Sequence, residues 1–147
     1  MRIAIGSDHA GYRYKEEIKG WLAAQGHEVE DFGTGSTAPT DYPRYCRPVA
    51  EAVTAGRADR GIVLGGSGNG EAMVANRVAG VRCALAWNQE SARLGRAHND
   101  ANCLSIGERM MPLATALEAV RLFLETPFEG GRHARRVAMI DDPAAGA

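Results

Sequence analysis

The chain of 147 residues carries Lys+Arg 17 against Asp+Glu 18, a net charge of -1, which points away from nucleic acid and from a membrane surface as partners. Its 45% hydrophobic and 24% charged content is ordinary for a folded protein and excludes intrinsic disorder. The length predicts a single domain over residues 1–147, with enough core to fold without disulfides or metal.

Short β-type runs alternate with helical stretches. Residues 2–7 read as a first strand and 11–25 as a helix, with Tyr14, Ile18, Trp21 and Leu22 at helical spacing and Gly26 in the place of a C-terminal glycine. Residues 27–32 are a second strand. Residues 33–43, rich in Gly, Pro and Thr, form the longest connection, and a helix over 42–55 follows. Residues 61–64 are apolar on both faces, as a central parallel strand requires. The glycine-rich segment 65–70 then leads into a helix over 71–78. A strand over 81–86, a helix over 89–97, a strand over 102–106 and a helix over 112–125 complete the alternation, with Pro112 in the first turn of the last helix. A basic tail spans 128–140, and residues 142–147 are expected to fray. Five strands alternating with helices define an α/β protein with a parallel sheet covered on both faces. Ligands of such sheets bind beyond the carboxyl ends of the strands, which singles out Asp8-His9, the glycine-rich loop, Trp87-Asn88 and residues 107–109.

The loop Gly65-Gly66-Ser67-Gly68-Asn69-Gly70-Glu71 is the strongest local signal. Glycines between a strand and a helix let backbone N–H groups turn toward an anion at the helix N-terminus. A Walker A loop needs Lys and Ser/Thr after its last glycine, and a dinucleotide fingerprint needs glycine at 71, so both nucleotide readings weaken. Glu71 would repel a phosphate in that loop but would suit a neutral carbon acid whose oxyanion the N–H groups stabilise. It could equally be an acidic first-turn residue complementing the helix dipole. Asp8 fits a helix N-cap as well as a substrate ligand. His98-Asn99-Asp100 joins a helix to a strand, where Asn and Asp are routine turn formers and His98 is suited to proton transfer. Arg132 and Arg136, four apart on a helical turn, could hold a phosphate together with Arg109, or form a solvated tail.

The three cysteines, Cys46, Cys83 and Cys103, fall at no metal-ligand or CxxC spacing. They read as small buried hydrophobes and as reduced thiols in a cytoplasm, with Cys83 and Cys103 on central strands. Residues 1–6 begin as a strand without a signal peptide's apolar stretch, and no run approaches the ~18 residues of a membrane span.

Together these segments resemble the ribose-5-phosphate isomerase B family, which includes the galactose-6-phosphate isomerase subunits. The carriers, over about residues 2 to 140, are Ile5-Gly6-Ser7-Asp8-His9-Ala10-Gly11, the Gly66 to Glu71 loop, Ala75-Asn76-Arg77, Ala97-His98-Asn99-Asp100-Ala101-Asn102 and Phe128-Glu129-Gly130-Gly131-Arg132-His133. The resemblance implies a Rossmann-like three-layer αβα sandwich, a homodimer or dimer of dimers, and an active site shared between two chains, with the segment from about 128 touching the partner. By the same resemblance Asp8 and His9 bind substrate, and Gly66, Ser67, Gly68, Asn69 and Gly70 cradle the enediolate. His98 helps open the furanose ring with Asn99 beside it, and Arg109, Arg132 and Arg136 bind the phosphate, with His133 adjacent. Many members carry a cysteine base immediately after the third strand, where this chain has Gly65. Another branch has glycine there and a glutamate after the loop, which makes Glu71 the expected base and leaves the cysteines idle.

The expected reaction is the interconversion of ribose 5-phosphate and ribulose 5-phosphate through a cis-enediolate, without cofactor or metal. The alternatives are an isomerase of a six-carbon aldose 6-phosphate such as allose or galactose 6-phosphate, and a sugar-phosphate-binding protein without catalysis.

Overall fold

The structure, a computed structural model, describes residues 1–146. Five strands, β1 (Arg2–Ser7), β2 (Glu28–Asp31), β3 (Arg60–Gly65), β4 (Cys83–Ala86) and β5 (Cys103–Gly107), pair in parallel in the order β2-β1-β3-β5-β4. They are joined by α1 (Tyr12–Ala24), α2 (Pro43–Thr54), α3 (Asn69–Ala75), α4 (Gln89–Asn99) and α5 (Leu113–Glu125), and α6 (Arg132–Asp141) follows. This is the expected α/β layering, since parallel neighbours need a crossover between them. None of these helices is long and apolar enough to cross a membrane.

Alternation along each strand sorts side chains onto two faces. Ile3 and Ile5 of β1, Ile62 and Leu64 of β3, and Leu104 and Ile106 of β5 join one core cluster with Ile18 and Leu22 of α1 and Phe123 of α5. Each such side chain, fully buried, is worth about 1.5–3 kcal/mol. Ala4 and Val63 face the other way, against Cys46, Val49 and Ala52 of α2. That second face is nearly bare backbone. A side chain at Gly6 would meet the Tyr45 carbonyl oxygen at 2.7 Å, and one at Gly61 would meet Val49 at 2.9 Å.

Several boundaries differ from expectation, each for a local reason. Gly68, at φ 83°, makes the turn that lets α3 start at Asn69, so Asn69 and Gly70 are the first helical residues and not loop. Helix α4 runs through His98 and Asn99, and Asp100 closes it in the left-handed region at φ 48°, which Asp tolerates better than most residues. Strand β4 lies at the sheet edge, so Cys83 is not central. The basic segment forms the regular helix α6. Residues expected to fray instead form a 3-10 turn over Pro143–Gly146, where the Gly146 carbonyl accepts from the Arg135 guanidinium at 2.7 Å; Ala147 lies outside the described residues.

Candidate active site

The strand order reverses between β1 and β3, whose carboxyl ends lie side by side, and a crevice at such a reversal is where open α/β sheets bind ligands. Gly11 makes the approach close, because a side chain there would lie 2.6 Å from the Leu64 backbone. The turn after β1 therefore rests on the end of β3. Asp8 is buried and caps that turn, its Oδ1 accepting from the N–H groups of Ala10 at 2.9 Å and Gly11 at 3.2 Å. The capping role is thus real, and among the described residues the second carboxylate oxygen takes no hydrogen bond. His9 Nδ1 accepts the Thr40 N–H at 3.1 Å. In the neutral ring this leaves the proton on Nε2, a donor.

The glycine-rich loop is fixed from β5. The Ser105 hydroxyl donates to the Gly68 carbonyl at 2.7 Å, and the Glu108 and Arg109 N–H groups donate to the carbonyls of Gly65 and Gly66 at 2.8 and 3.1 Å. Arg109 lays its guanidinium against the loop, where a side chain at Gly66 would meet Nη1 at 2.7 Å. The Tyr42 ring covers Gly70 in the same way, at 2.5 Å. The Ser67 hydroxyl accepts the Asn69 N–H at 3.2 Å.

Glu71, in the first turn of α3, is 4% exposed, and among the described residues its Oε2 has no hydrogen-bond partner. Its carboxylate fills the space that a side chain at Gly65 would occupy. Burial pushes its pKa up and the Asp8 charge adds to this, against the lowering by its own backbone N–H and that of Gly68. Burial also raises the thiols, Cys103 to about 12 and Cys46 and Cys83 in the same direction. None of the three is therefore suited to act as a thiolate at neutral pH.

The remaining candidates gather elsewhere. His98, in the last turn of α4, stacks on His133 of α6 with ring centroids 4.2 Å apart and an angle of 12°. Glu129 Oε2 faces both rings, 3.8 Å from His98 Nε2 and 3.4 Å from His133 Nε2. Burial lowers the His133 pKa, assisted by the charges of His98 and Arg132. The Asn99 carbonyl accepts from Arg82 at 3.1 Å. Arg132 and Arg136, with Arg135 and Met139, line a cleft of about 370 Å³.

Helix α4 ends where β5 is about to begin, so His98 belongs to the amino edge of the sheet and Glu71 to the carboxyl edge. A five-residue strand separates those edges by about 16 Å. Among the described residues no hydrogen bond or ion pair joins the two groups. Asp8, His9, the loop, Glu71 and Arg109 come together in one chain, whereas His98, Asn99, Arg132 and Arg136 do not join them. Ser105, Tyr42 and Glu129 are neighbours of these groups that sequence reasoning missed. Ser105 had a faint signal, a polar residue inside an apolar strand, and Glu129 stands four residues before His133.

An open parallel α/β sheet with a buried carboxylate and a glycine-rich loop at its switch point describes the class of small-molecule-binding enzyme folds built at strand ends. More narrowly, the model of the Ribose/Galactose Isomerase family matches residues 3–140, and the chain belongs to that family. It is 47% identical over 142 residues to ribose-5-phosphate isomerase B of Mycobacterium leprae, covering 95% of this chain and 88% of that one. The Escherichia coli protein of the same name is 44% identical over 139 residues, covering 95% and 93%. The Clostridium thermocellum ribose-5-phosphate isomerase B structure superposes with a TM-score of 0.95 at 49% identity, covering 98% and 97% of the two chains. That of Mycoplasma genitalium, with ribulose-5-phosphate bound, gives 0.92 at 36%, covering 99% and 97%.

Proposed function

We propose that the chain interconverts ribose 5-phosphate and ribulose 5-phosphate by proton transfer through a cis-enediolate. The observation that carries this is Glu71, a buried carboxylate with one oxygen unpartnered, beside a glycine-rich loop in a protein of this family. The relatives named for the activity, and the one holding ribulose-5-phosphate, support the substrate.

The reaction starts with ring opening, because the C2 hydrogen is acidic only beside a free aldehyde. His98 moves the proton in that step, with Asn99 at its side. Glu71 then takes the C2 proton and returns it to C1. Burial makes it a stronger base than an exposed carboxylate, and positioned proton transfer is worth about 10²–10⁴-fold. N–H groups of the loop over Gly66, Ser67, Gly68, Asn69 and Gly70 hold the oxyanion, those of Gly68 and Asn69 by giving up their contacts to Glu71 and the Ser67 hydroxyl, and a lost donor costs on the order of 10²–10³-fold. Asp8 and the Nε2–H of His9 bind sugar or phosphate oxygens, and Arg109, Arg132 and Arg136 bind the phosphate. Glu71 serves as base in place of a cysteine at the last position of β3: Gly65 leaves the volume its carboxylate fills, and a cysteine there would overlap it.

Since His98 and Glu71 lie at opposite edges of one sheet, the working site is formed by two chains in a homodimer, with the segment from 128 reaching the partner. We assign the protein, one domain with reduced thiols, to the cytoplasm. Mixing Glu71→Gln and His98→Asn chains tests the shared site. In every mixed dimer one of the two sites regains both native residues, so activity should return, and no return would place both residues in the same chain's site. Removing Arg136 should mainly raise KM, by roughly 10–100-fold, the worth of a charge-assisted hydrogen bond. Proton NMR of chelator-treated protein with ribose 5-phosphate in D₂O tests the reaction itself. Ribulose 5-phosphate carrying solvent deuterium is expected. An unchanged spectrum, with turnover of a six-carbon aldose 6-phosphate instead, would move the substrate assignment.

A further inference from the structure

We propose that His98, Glu129 and His133 form a binding site for a divalent transition cation of the zinc class, and that an ion held there silences the chain by taking up His98. The second half rests on the reading that His98 opens the sugar ring. One ligand atom from each residue lies within 4.8 Å of the other two. Two donors on one tetrahedral zinc, each about 2.0–2.2 Å from it, stand roughly 3.4 Å apart. The His133–Glu129 pair already has that spacing at 3.4 Å, and His98 stands only a little wide at 3.8 Å from the same oxygen.

A second feature points to a ligand. His133 is 8% exposed, and its Nε2, which faces Glu129, has no hydrogen-bond partner among the described residues. A buried polar atom left this way is costly, and a coordinated ion would satisfy it. His98 is the adjustable member. Its side chain is 36% exposed and it makes no hydrogen bond among the described residues, so it can leave the stack and turn toward the ion. Two imidazoles and one carboxylate suit zinc, copper or nickel, with a position left for water. Calcium and magnesium, which take oxygen ligands, do not fit. Arg93 and Arg132 act on Glu129 and His133 through their charge and oppose a cation. The site therefore fills when the ion is plentiful and does not carry a resident metal.

The test is titration of Zn²⁺ into chelator-stripped protein in competition with a chromophoric zinc chelator, followed by assay of the same samples. One zinc per chain is expected, with turnover of ribose 5-phosphate falling as the site fills and returning on addition of EDTA. Glu129→Gln should weaken zinc binding by more than the roughly 10–100-fold that losing an outer-shell partner costs, and the EDTA-reversible loss of its turnover should need correspondingly more zinc. Co²⁺ should give visible bands of a low-coordinate site in the native chain, absent from His133→Gln. The proposal falls if the native chain takes up no stoichiometric zinc, or if Glu129→Gln binds it equally well. Zinc bound without loss of turnover would remove the inhibitory half. Stripped protein that binds zinc but never converts ribose 5-phosphate would instead overturn the isomerase reading and leave the metal site standing.

Discussion

Lys15 and Glu71 are both charged side chains closed off from water, and their surroundings are opposite in kind. Lys15 of α1 is fully buried; its Nζ donates to Asp31 at 2.6 Å and to Glu16 at 3.1 Å, and lies 5.4 Å from the centre of the Tyr12 ring. Lys19 donates to the same Asp31 oxygen at 2.6 Å. Because Asp31 ends β2, this cluster ties α1 to the edge of the sheet. Glu71 has one oxygen without a partner and the like charge of Asp8 nearby. Burial pushes both carboxylates toward the protonated form. At Asp31 the hydrogen bonds from Lys15 and Lys19 outweigh it and the pKa falls, whereas at Glu71 burial prevails and it rises. Breaking a buried pair such as that of Lys15 and Asp31 is costly to the fold, whereas a buried carboxylate short of partners is what the proposed base at Glu71 requires.

The strongest way to break this contrast is Glu71→Gln. We expect turnover to fall by about 10³-fold, within the range for a general base, with little change in KM and a melting temperature equal to or above that of the native chain. A melting temperature lower by several degrees would make Glu71 a structural residue after all. Gly65→Ala sharpens the same point, since its methyl group would displace the carboxylate; kcat should drop in a chain that still folds. Asp31→Asn should do the reverse. It strips Lys15 of its closest partner, and because Asp31 is itself a quarter exposed, the loss should be about 2–3 kcal/mol, below the ~3–5 kcal/mol of a fully enclosed pair. Thermal unfolding should register the loss while kcat stays near native.

The sequence made the layering legible because its signals were local: an apolar run at 62–64, a glycine after the first helix, a proline opening the last long one. Glu71 was legible as a first-turn acid, and its alternative role was visible only as a possibility. Spacing cannot say that Gly65, six residues away, leaves the space its carboxylate fills. The partners of Lys15 were hidden for a similar reason, since Asp31 lies sixteen residues on and meets it only when β2 pairs with β1. His98 read as part of a turn because Asn99 and Asp100 are turn formers, yet the helix carries both histidine and asparagine to its end and uses Asp100 alone to stop. Its separation from Glu71 follows from strand direction, which no single motif contains.

The smallest expected effect distinguishes the two carboxylates by sign. An unfolded glutamate titrates near 4.3. Glu71, whose folded value is higher, binds its proton more tightly in the native chain, so stability declines as pH rises through that window, and the full penalty is present only above the folded value. Asp31 has a folded value below the unfolded one, near 3.9. Its contribution is therefore complete above the unfolded value and is lost as pH falls through the folded one. Replacing Glu71 by Gln removes the penalty alone. The melting temperature of Glu71→Gln minus that of the native chain should be positive at pH 7 and shrink toward zero below about pH 4. The same difference for Asp31→Asn should be negative at pH 7 and close only in stronger acid. Differential scanning calorimetry of the three proteins across pH 3 to 8 measures both curves, and two curves of the same sign would mean that Glu71 has found a partner in the folded chain and is held there as Asp31 is.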